Sequence, residues 1–407
     1  MIVKQYVKDF EKLGFGLFVH FGPYSVIGKG EWSQELLTIS NEEYAKAVKA
    51  FNPDPDWATE LVALAKEAGC KYINLTTRHH DGFSLYDTCG LNDFDAPHIC
   101  GRDLVREFVD ACRAEGIVPF LYHTLFDWKD DFFTTDFKGY MKYLQDSVEL
   151  LCKNYGKIGG LWFDGWWRAK DGDWQEDTLY GIIRKYQPEA MIVNNTGLAE
   201  LGQRGHIEID SVTFERGKAV NVNTPDAPKY VAGEMCQVMN DHWGYAAEDL
   251  NYKSVGSLIN DLVQCRRHHC NFLLNVGPMG SGKVRSIDAE ILRCIGKWVT
   301  DNAEAIYEAE PCGIEVSNPE DFVLKNGNTY YLFRINVPMS ANPDVAQSSA
   351  YNADASFALG GKVRSAVWLD DGSVAKYEYG DGKINILTKP FEYGRSRFIR
   401  VCKIECE

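Results

Sequence analysis

Asp164 closes the run Gly160-Leu161-Trp162-Phe163-Asp164-Gly165-Trp166-Trp167. A short apolar run ended by Gly reads as a buried strand, too short for a helix. The first polar residue of such a strand lies at its C-terminal tip, where α/β enzymes hold their reactive groups. Trp162, Trp166 and Trp167 set flat apolar surface beside that acid, a composition suited to holding a sugar ring. Asp before Gly is also a common turn pair, so a purely local role competes with a catalytic one. Other apolar runs end in the same manner. The first leads into Val19-His20-Phe21-Gly22, with Glu31-Trp32 in the loop beyond. The second leads to Arg78-His79-His80-Asp81-Gly82-Phe83, and the third to Leu121-Tyr122-His123. Glu215 follows the sixth run, Glu234 lies within the seventh, and Asn275 closes the eighth. A lone His at a strand end is usually structural; several at the same end of successive strands point to a shared site.

Bringing residues so far apart in the chain to one place requires a closed arrangement of strands. Runs of strand character fall at 14–21, 70–76, 117–122, 160–164, 191–194, 207–214, 231–236 and 272–276. Amphipathic stretches separate several of them. Trp57, Leu61, Leu64 and Ala65 recur at helical spacing, Gly69 ends that helix, and Gly116 ends a similar one over 103–113. Strand and helix alternating over some 300 residues predict an α/β fold, a (β/α)8 (TIM-like) barrel whose strand tips converge on one mouth. After about Pro311 helical periodicity disappears. Residues 322–333 read as two strands around Asn326-Gly327, and short strands follow at 366–369, 376–379, 383–387 and 396–401. These predict a small antiparallel β-sandwich, with 339–354 as a long polar loop. The expected domains are a catalytic barrel over 1–308 and a sandwich over 309–407.

Composition narrows the function. A chain of 407 residues has room for one large and one smaller domain. A formal charge of -15, without long basic runs, disfavours nucleic acid and anionic membranes and suits a neutral small-molecule or oligosaccharide substrate. The N-terminal nine residues lack the apolar core of a signal peptide, and no 18-residue apolar stretch occurs. The twelve cysteines show no zinc-finger spacing, so free thiols in a reducing cytoplasm are expected.

The segments Phe18-Val19-His20-Phe21-Gly22, Glu31-Trp32, Arg78-His79-His80-Asp81-Gly82-Phe83, Trp162-Phe163-Asp164-Gly165, Trp243-Gly244-Tyr245 and Asn275-Val276-Gly277-Pro278 resemble those of the retaining α-L-fucosidases of glycoside hydrolase family 29. Order and approximate spacing agree as well, over nearly the whole chain. The resemblance implies an exo-acting enzyme that removes terminal α-L-fucosyl residues from glycans through a covalent fucosyl-enzyme, with Asp164 as nucleophile. It implies a fucose pocket lined by His20, Glu31, Trp32, His79, His80 and Tyr122, to which Trp162, Arg216 and Trp243 are added as substrate-binding residues. Retaining hydrolysis needs a second carboxyl about 5 Å from the nucleophile to protonate the leaving oxygen. Glu215 is the first choice; Glu234 is the alternative, or a supporting carboxylate. Two positions depart from the family pattern. An Arg expected beside the fifth-strand corner is missing from Val193-Asn194-Asn195-Thr196-Gly197, which leaves Arg216 as a candidate cation near Asp164. Gly233 stands where a Trp usually precedes the Glu of the seventh strand.

Other readings compete. Arg216 could simply form a surface ion pair with Glu215. The histidines and Asp164 could ligate a metal, but adjacent His79 and His80 on an extended segment would point to opposite faces; no metal and no cofactor are expected. Gly277-Pro278-Met279-Gly280-Ser281-Gly282-Lys283 matches GxxxxGK, yet Val284 replaces the magnesium-binding hydroxyl and Pro278 removes a donor. Arg266-Arg267-His268-His269 is expected to be a solvated helix end. A barrel that binds fucose without cleaving it is the alternative from another functional class.

Overall fold

Eight parallel strands close into a ring: β1 (Phe15–Val19), β2 (Tyr72–Arg78), β3 (Val118–Thr124), β4 (Gly160–Asp164), β5 (Met191–Asn194), β6 (Ser211–Thr213), β7 (Ala232–Val238) and β8 (Cys270–Val276). In this computed structural model, which describes residues 3–129, 132–342, 344–346 and 354–407, β1 pairs with both β2 and β8 and so completes the barrel. All eight predicted strands are present. β6 is shorter than expected, because Asp210 bonds β5 with its side chain as well as its backbone. Its amide donates to the Ile192 carbonyl at 2.8 Å, and its carboxylate accepts from the Ile192 amide at 3.1 Å. Helices Trp57–Glu67 and Leu104–Glu115 follow the predicted periodicity; the second is capped by Asp103, which accepts from the Arg106 amide.

Inward side chains fill the barrel. Phe18, Tyr72, Phe120, Tyr122, Trp162, Met191, Val193 and Leu273 form one buried cluster, which Val7 and Phe10 of the N-terminal helix Gln5–Leu13 join. The Phe10 ring lies 5.6 Å from Tyr72 and 5.5 Å from Phe120, so this helix plugs the N-terminal end. Chemistry is thereby confined to the opposite, C-terminal mouth.

The chain forms two compact units, one of residues 1–253 and 270–293, the other of 254–269 and 294–407, so the division does not fall at a single chain position. The second unit holds β9 (Glu310–Pro311), β10 (Phe322–Asn326), β11 (Thr329–Arg334), β12 (Asp354–Ala358), β13 (Val363–Trp368), β14 (Lys376–Gly380), β15 (Lys383–Leu387) and β16 (Arg400–Cys406). They form an antiparallel five-stranded sheet, β13-β16-β11-β10-β9, and a three-stranded one, β12-β15-β14. Leu332, Cys402 and Ile404 of the first share a core with Phe357, Ile384 and Ile386 of the second, the sandwich that the short strands and the loss of helical periodicity predicted. Asn326 pairs with Thr329, so the hairpin turn is Gly327-Asn328, one residue later than expected. β12 begins at the end of the segment expected to be a loop; residues 343 and 347–353 of that loop lie outside the described residues. The Arg266–His269 helix end is not simply solvated: Arg266 is buried and donates to the Ile306 carbonyl. No helix among the described residues is long and apolar enough to cross a membrane.

Candidate active site

Alternation along β4 puts Trp162 inside the barrel, and Asp164, two residues on, continues that face at the mouth. Gly165 makes the turn possible at φ 99°, and a side chain there would collide with Phe126. Asp164 Oδ2 accepts from the Tyr122 hydroxyl at 3.0 Å and lies 3.4 Å from His80 Nε2. Its Oδ1 accepts from Asn195 Nδ2 at 3.0 Å. The same nitrogen donates to Glu215 Oε2 at 2.8 Å. One amide thus holds two carboxylates, whose facing oxygens cannot be further apart than the sum of those two lengths. That falls short of the roughly 6.5–9.5 Å that admits a water between the acids of inverting glycosidases. The Asn195 amide cannot flip without loss, since its Oδ1 accepts from Thr213 Oγ1 at 2.8 Å and from the Gly197 amide at 3.3 Å.

Glu215 faces inward for the same reason as Asp164: it lies two residues beyond Thr213 of β6. Ladder bonds continue past the strand, Phe214 donating to the Glu234 carbonyl and Arg216 to that of Cys236, both at 2.9 Å. Burial, then the negative charge of Asp164, pushes the Glu215 carboxyl up to about 7, against the opposing Asn195 hydrogen bond. Glu234 lies deeper, between strands. Its oxygens accept from the Tyr72 hydroxyl at 2.5 Å and Trp162 Nε1 at 2.8 Å, and burial raises it to about 7 as well.

A cavity of about 630 Å³ opens above the acids, lined by His20, Glu31, Trp32, His79, His80, Tyr122, Trp162, Arg216 and Trp243 among others. His20 Nδ1 lies 2.6 Å from Asn275 Oδ1, and Asn275 Nδ2 donates to the Trp243 carbonyl. The Asn oxygen must therefore accept, which puts the proton of neutral His20 on Nδ1 and leaves Nε2 as an acceptor. Burial above all lowers His20 to about 3, so it stays neutral. Glu31 is buried and accepts from the backbone amides of Trp243 and Gly244 at 3.1 and 2.6 Å. Burial raises its carboxyl, and the Gly244 amide opposes that rise. Trp32 packs between His80 and Trp128, with ring centres 5.3 and 4.8 Å away.

Three expectations are corrected. His79 and His80 do not face opposite sides: their rings lie 4.3 Å apart and both line the cavity, because β2 ends at Arg78 and strand alternation stops there. Arg216 neither pairs with Asp164 nor forms an ion pair with Glu215. Its backbone takes the left-handed form at φ 50°, its guanidinium donates to the Asp241 carbonyl and lies over the Trp243 ring, 5.4 Å from the centre. His123 has the opposite parity to Tyr122 and turns outward, 3.2 Å from the Tyr86 hydroxyl. The His-His-Asp-Gly-Phe segment divides its labour. Arg78 pairs with Asp127 at 2.7 Å and Asp81 accepts from Tyr44, so these two fix the loop that carries the histidines. Gly82, at φ 77°, leaves no room for a side chain against Asp127.

The Alpha-L-fucosidase family model matches residues 3–304. This chain belongs to the alpha-L-fucosidase family. It is 30% identical over 369 residues to the tissue alpha-L-fucosidase of Mus musculus, covering 80% of this chain and 77% of that protein. It superposes on alpha-L-fucosidase isoenzyme 1 from Paenibacillus thiaminolyticus with a TM-score of 0.82, 28% identity and 99% coverage of both chains. A Bacteroides thetaiotaomicron alpha-L-fucosidase, trapped as a covalent intermediate with 2-fluoro-fucosyl fluoride, shares the fold at a TM-score of 0.80 and 20% identity, over 99% of this chain and 96% of that one.

Within this alpha-L-fucosidase family chain, two polar groups at the site escaped the sequence. Asn195 belongs to the corner where an Arg was sought, and Thr124, 2.6 Å from His80 Nδ1, carried no motif. Both sit at strand tips on inward parity, the one signal that could have found them. The GxxxxGK loop spends its amides on itself, Met279 and Lys283 closing a turn, and Lys283 pairs with Asp54 at 3.3 Å. Among the described residues no three His, Cys, Asp or Glu side chains are grouped to hold a metal ion.

Proposed function

We propose that this glycoside hydrolase removes single terminal α-L-fucosyl residues with retention, Asp164 attacking the anomeric carbon while Glu215 protonates the departing oxygen. The observation that carries the proposal is the shared Asn195 nitrogen, which keeps the facing oxygens of the two acids closer than the separation inverting enzymes need and so supports a double displacement. Glu215 begins protonated near neutral pH because burial and Asp164 raise it. Once Asp164 is esterified its charge is gone, Glu215 binds its proton less tightly, and it can take one from the incoming water. His20 offers an acceptor and His79 and His80 offer ring nitrogens to sugar hydroxyls, while Trp32 and Trp243 can cover the methyl and apolar ring face. The buried histidine floor suits one terminal residue, hence exo action. Twelve free cysteines suit a reducing compartment.

The reading of a barrel that binds fucose without cleaving it was motivated by the uncertain acid and the altered fifth-strand corner; a carboxyl pushed up to about 7 beside Asp164, tied to it through Asn195 of that corner, supports hydrolysis instead. The test is NMR of the first sugar released from an aryl α-L-fucoside. Initial appearance of α-fucose is expected; β-fucose first, or no turnover with intact binding, would overturn the mechanism.

A further inference from the structure

The cavity changes character along its depth. Its floor is polar and buried, His20, His79 and His80 being 4%, 3% and 1% exposed, whereas Leu36 and Leu198 in its lining are 72% and 65% exposed. Large apolar side chains this open are ordinary when scattered. Here both border one cavity, with the Trp167 indole also in its wall, its ring centre 6.4 Å from that of His80. The Gly197 backbone packs on that indole, where a side chain would come within 3.2 Å of the ring.

The loops bearing these residues are tied together. Arg168 pairs with Glu35 at 3.2 Å, beside Leu36, and Lys170 pairs with Glu200 at 2.5 Å, two residues from Leu198. Thr196 donates to the Glu200 carbonyl at 2.5 Å, closing the loop that carries Leu198. The bracing does two things. It holds apolar groups in place before any ligand arrives, which lowers the ordering cost of binding. It also pairs Arg168 and Lys170 with acids, so on this side of the cavity an anionic ligand finds neither of them unpaired. The same loop packs on the segment just after Glu215, where Leu201 fills the space above Gly217.

We infer that Leu36, Trp167 and Leu198 form the leaving-group platform, built for a neutral group with a flat apolar face, an aromatic ring or the apolar face of a neutral hexopyranose. This rests on the reading of the site as a retaining fucosidase. Fucose in the floor turns its anomeric oxygen toward Glu215, and whatever that oxygen carries emerges against Leu198.

The test compares wild type with the Leu36→Ser/Leu198→Ser double variant on three substrates: 4-nitrophenyl α-L-fucoside, a neutral α-L-fucosyl-N-acetylglucosamine, and α-L-fucosyl fluoride. Fluoride is too small to reach the platform and leaves without a proton, so it reports the fucosyl pocket alone. The expected result is a loss of about tenfold in kcat/KM on the first two, from two partly buried Leu contacts, with fluoride hydrolysis within about twofold of wild type. Loss on only the aryl or only the sugar substrate supports the platform and names which face it takes. Equal activity of variant and wild type on all three overturns the platform and leaves the mechanism standing. A parallel loss on fluoride also overturns it, placing the two Leu in the fold or the fucosyl pocket. Wild-type enzyme inert toward the fluoride would remove the fucosidase reading and this inference with it.

Discussion

Glu215 and Glu234 are both raised to about 7, yet they occupy different worlds. Glu234 owes its shift to burial alone, opposed by two donors that use both its oxygens, and Tyr72 and Trp162 fill the space around it. Glu215 owes its shift to burial and to a second negative charge across a shared amide, and it borders an open cavity. A perturbed carboxyl is therefore a poor marker of catalysis by itself. What sets Glu215 apart is a neighbouring charge, and room for a substrate beside it, the two features that the proposed acid would use.

The contrast can be broken most directly at Asp164, whose charge defines the upper pair. Asp164→Ala should lower kcat by roughly 10⁴-fold or more, and added azide should yield the inverted β-fucosyl azide, identified by NMR. Recovery of the retained product instead would exclude Asp164 as nucleophile. Glu215→Ala should cost roughly 10²–10⁴-fold on substrates with poor leaving groups and much less on fucosyl fluoride, and should remove the alkaline limb of kcat/KM near pH 7. A variant that keeps that limb would return Glu234 to consideration. Asn195→Ala should cost on the order of tenfold to a hundredfold, comparable with loss of a charge-assisted hydrogen bond or two. Because Asn195 lowers Glu215, its removal should also move the alkaline limb upward, which a merely structural residue would not do.

The smallest effect on rate is expected at Glu234. Glu234→Gln mimics the protonated acid, its oxygen accepting from Trp162 and its amide donating to Tyr72, so activity should stay within about tenfold of wild type. Stability sharpens the comparison further. A carboxyl raised from 4.5 to about 7 on folding favours the native state fully below its unfolded value, and that advantage is lost as pH rises through the folded value. At most about 3 kcal/mol is involved. Thermal melts between pH 4.5 and 8 should show wild type declining and Glu234→Gln declining less; identical slopes would mean that Glu234 is not buried as a neutral acid.

Much was legible in the chain. Apolar runs with polar tips located all eight barrel strands, and Asp164 could be placed at the mouth from β4 alone, because alternation is a local property. The histidine-rich segment identified the pocket. Orientation failed in two ways: His79 and His80, just past β2 where alternation stops, share a side, and His123, within β3, was assigned to the mouth although its parity points outward. The C-terminal strands were found where turns were marked by Gly, while β9 and β12, short or adjoining a polar stretch, left no pattern.

The sequence by itself determined where the barrel strands run, the motif residues and the position of Asp164 at the tip of β4, since each depends on neighbours within a few positions. Only the tertiary structure decided which glutamate meets that acid. Asp164 ends β4 and Glu215 follows β6, and barrel closure, with Asn195 just past β5 between them donating to both, sets their separation. No spacing along the chain encodes a distance across the ring.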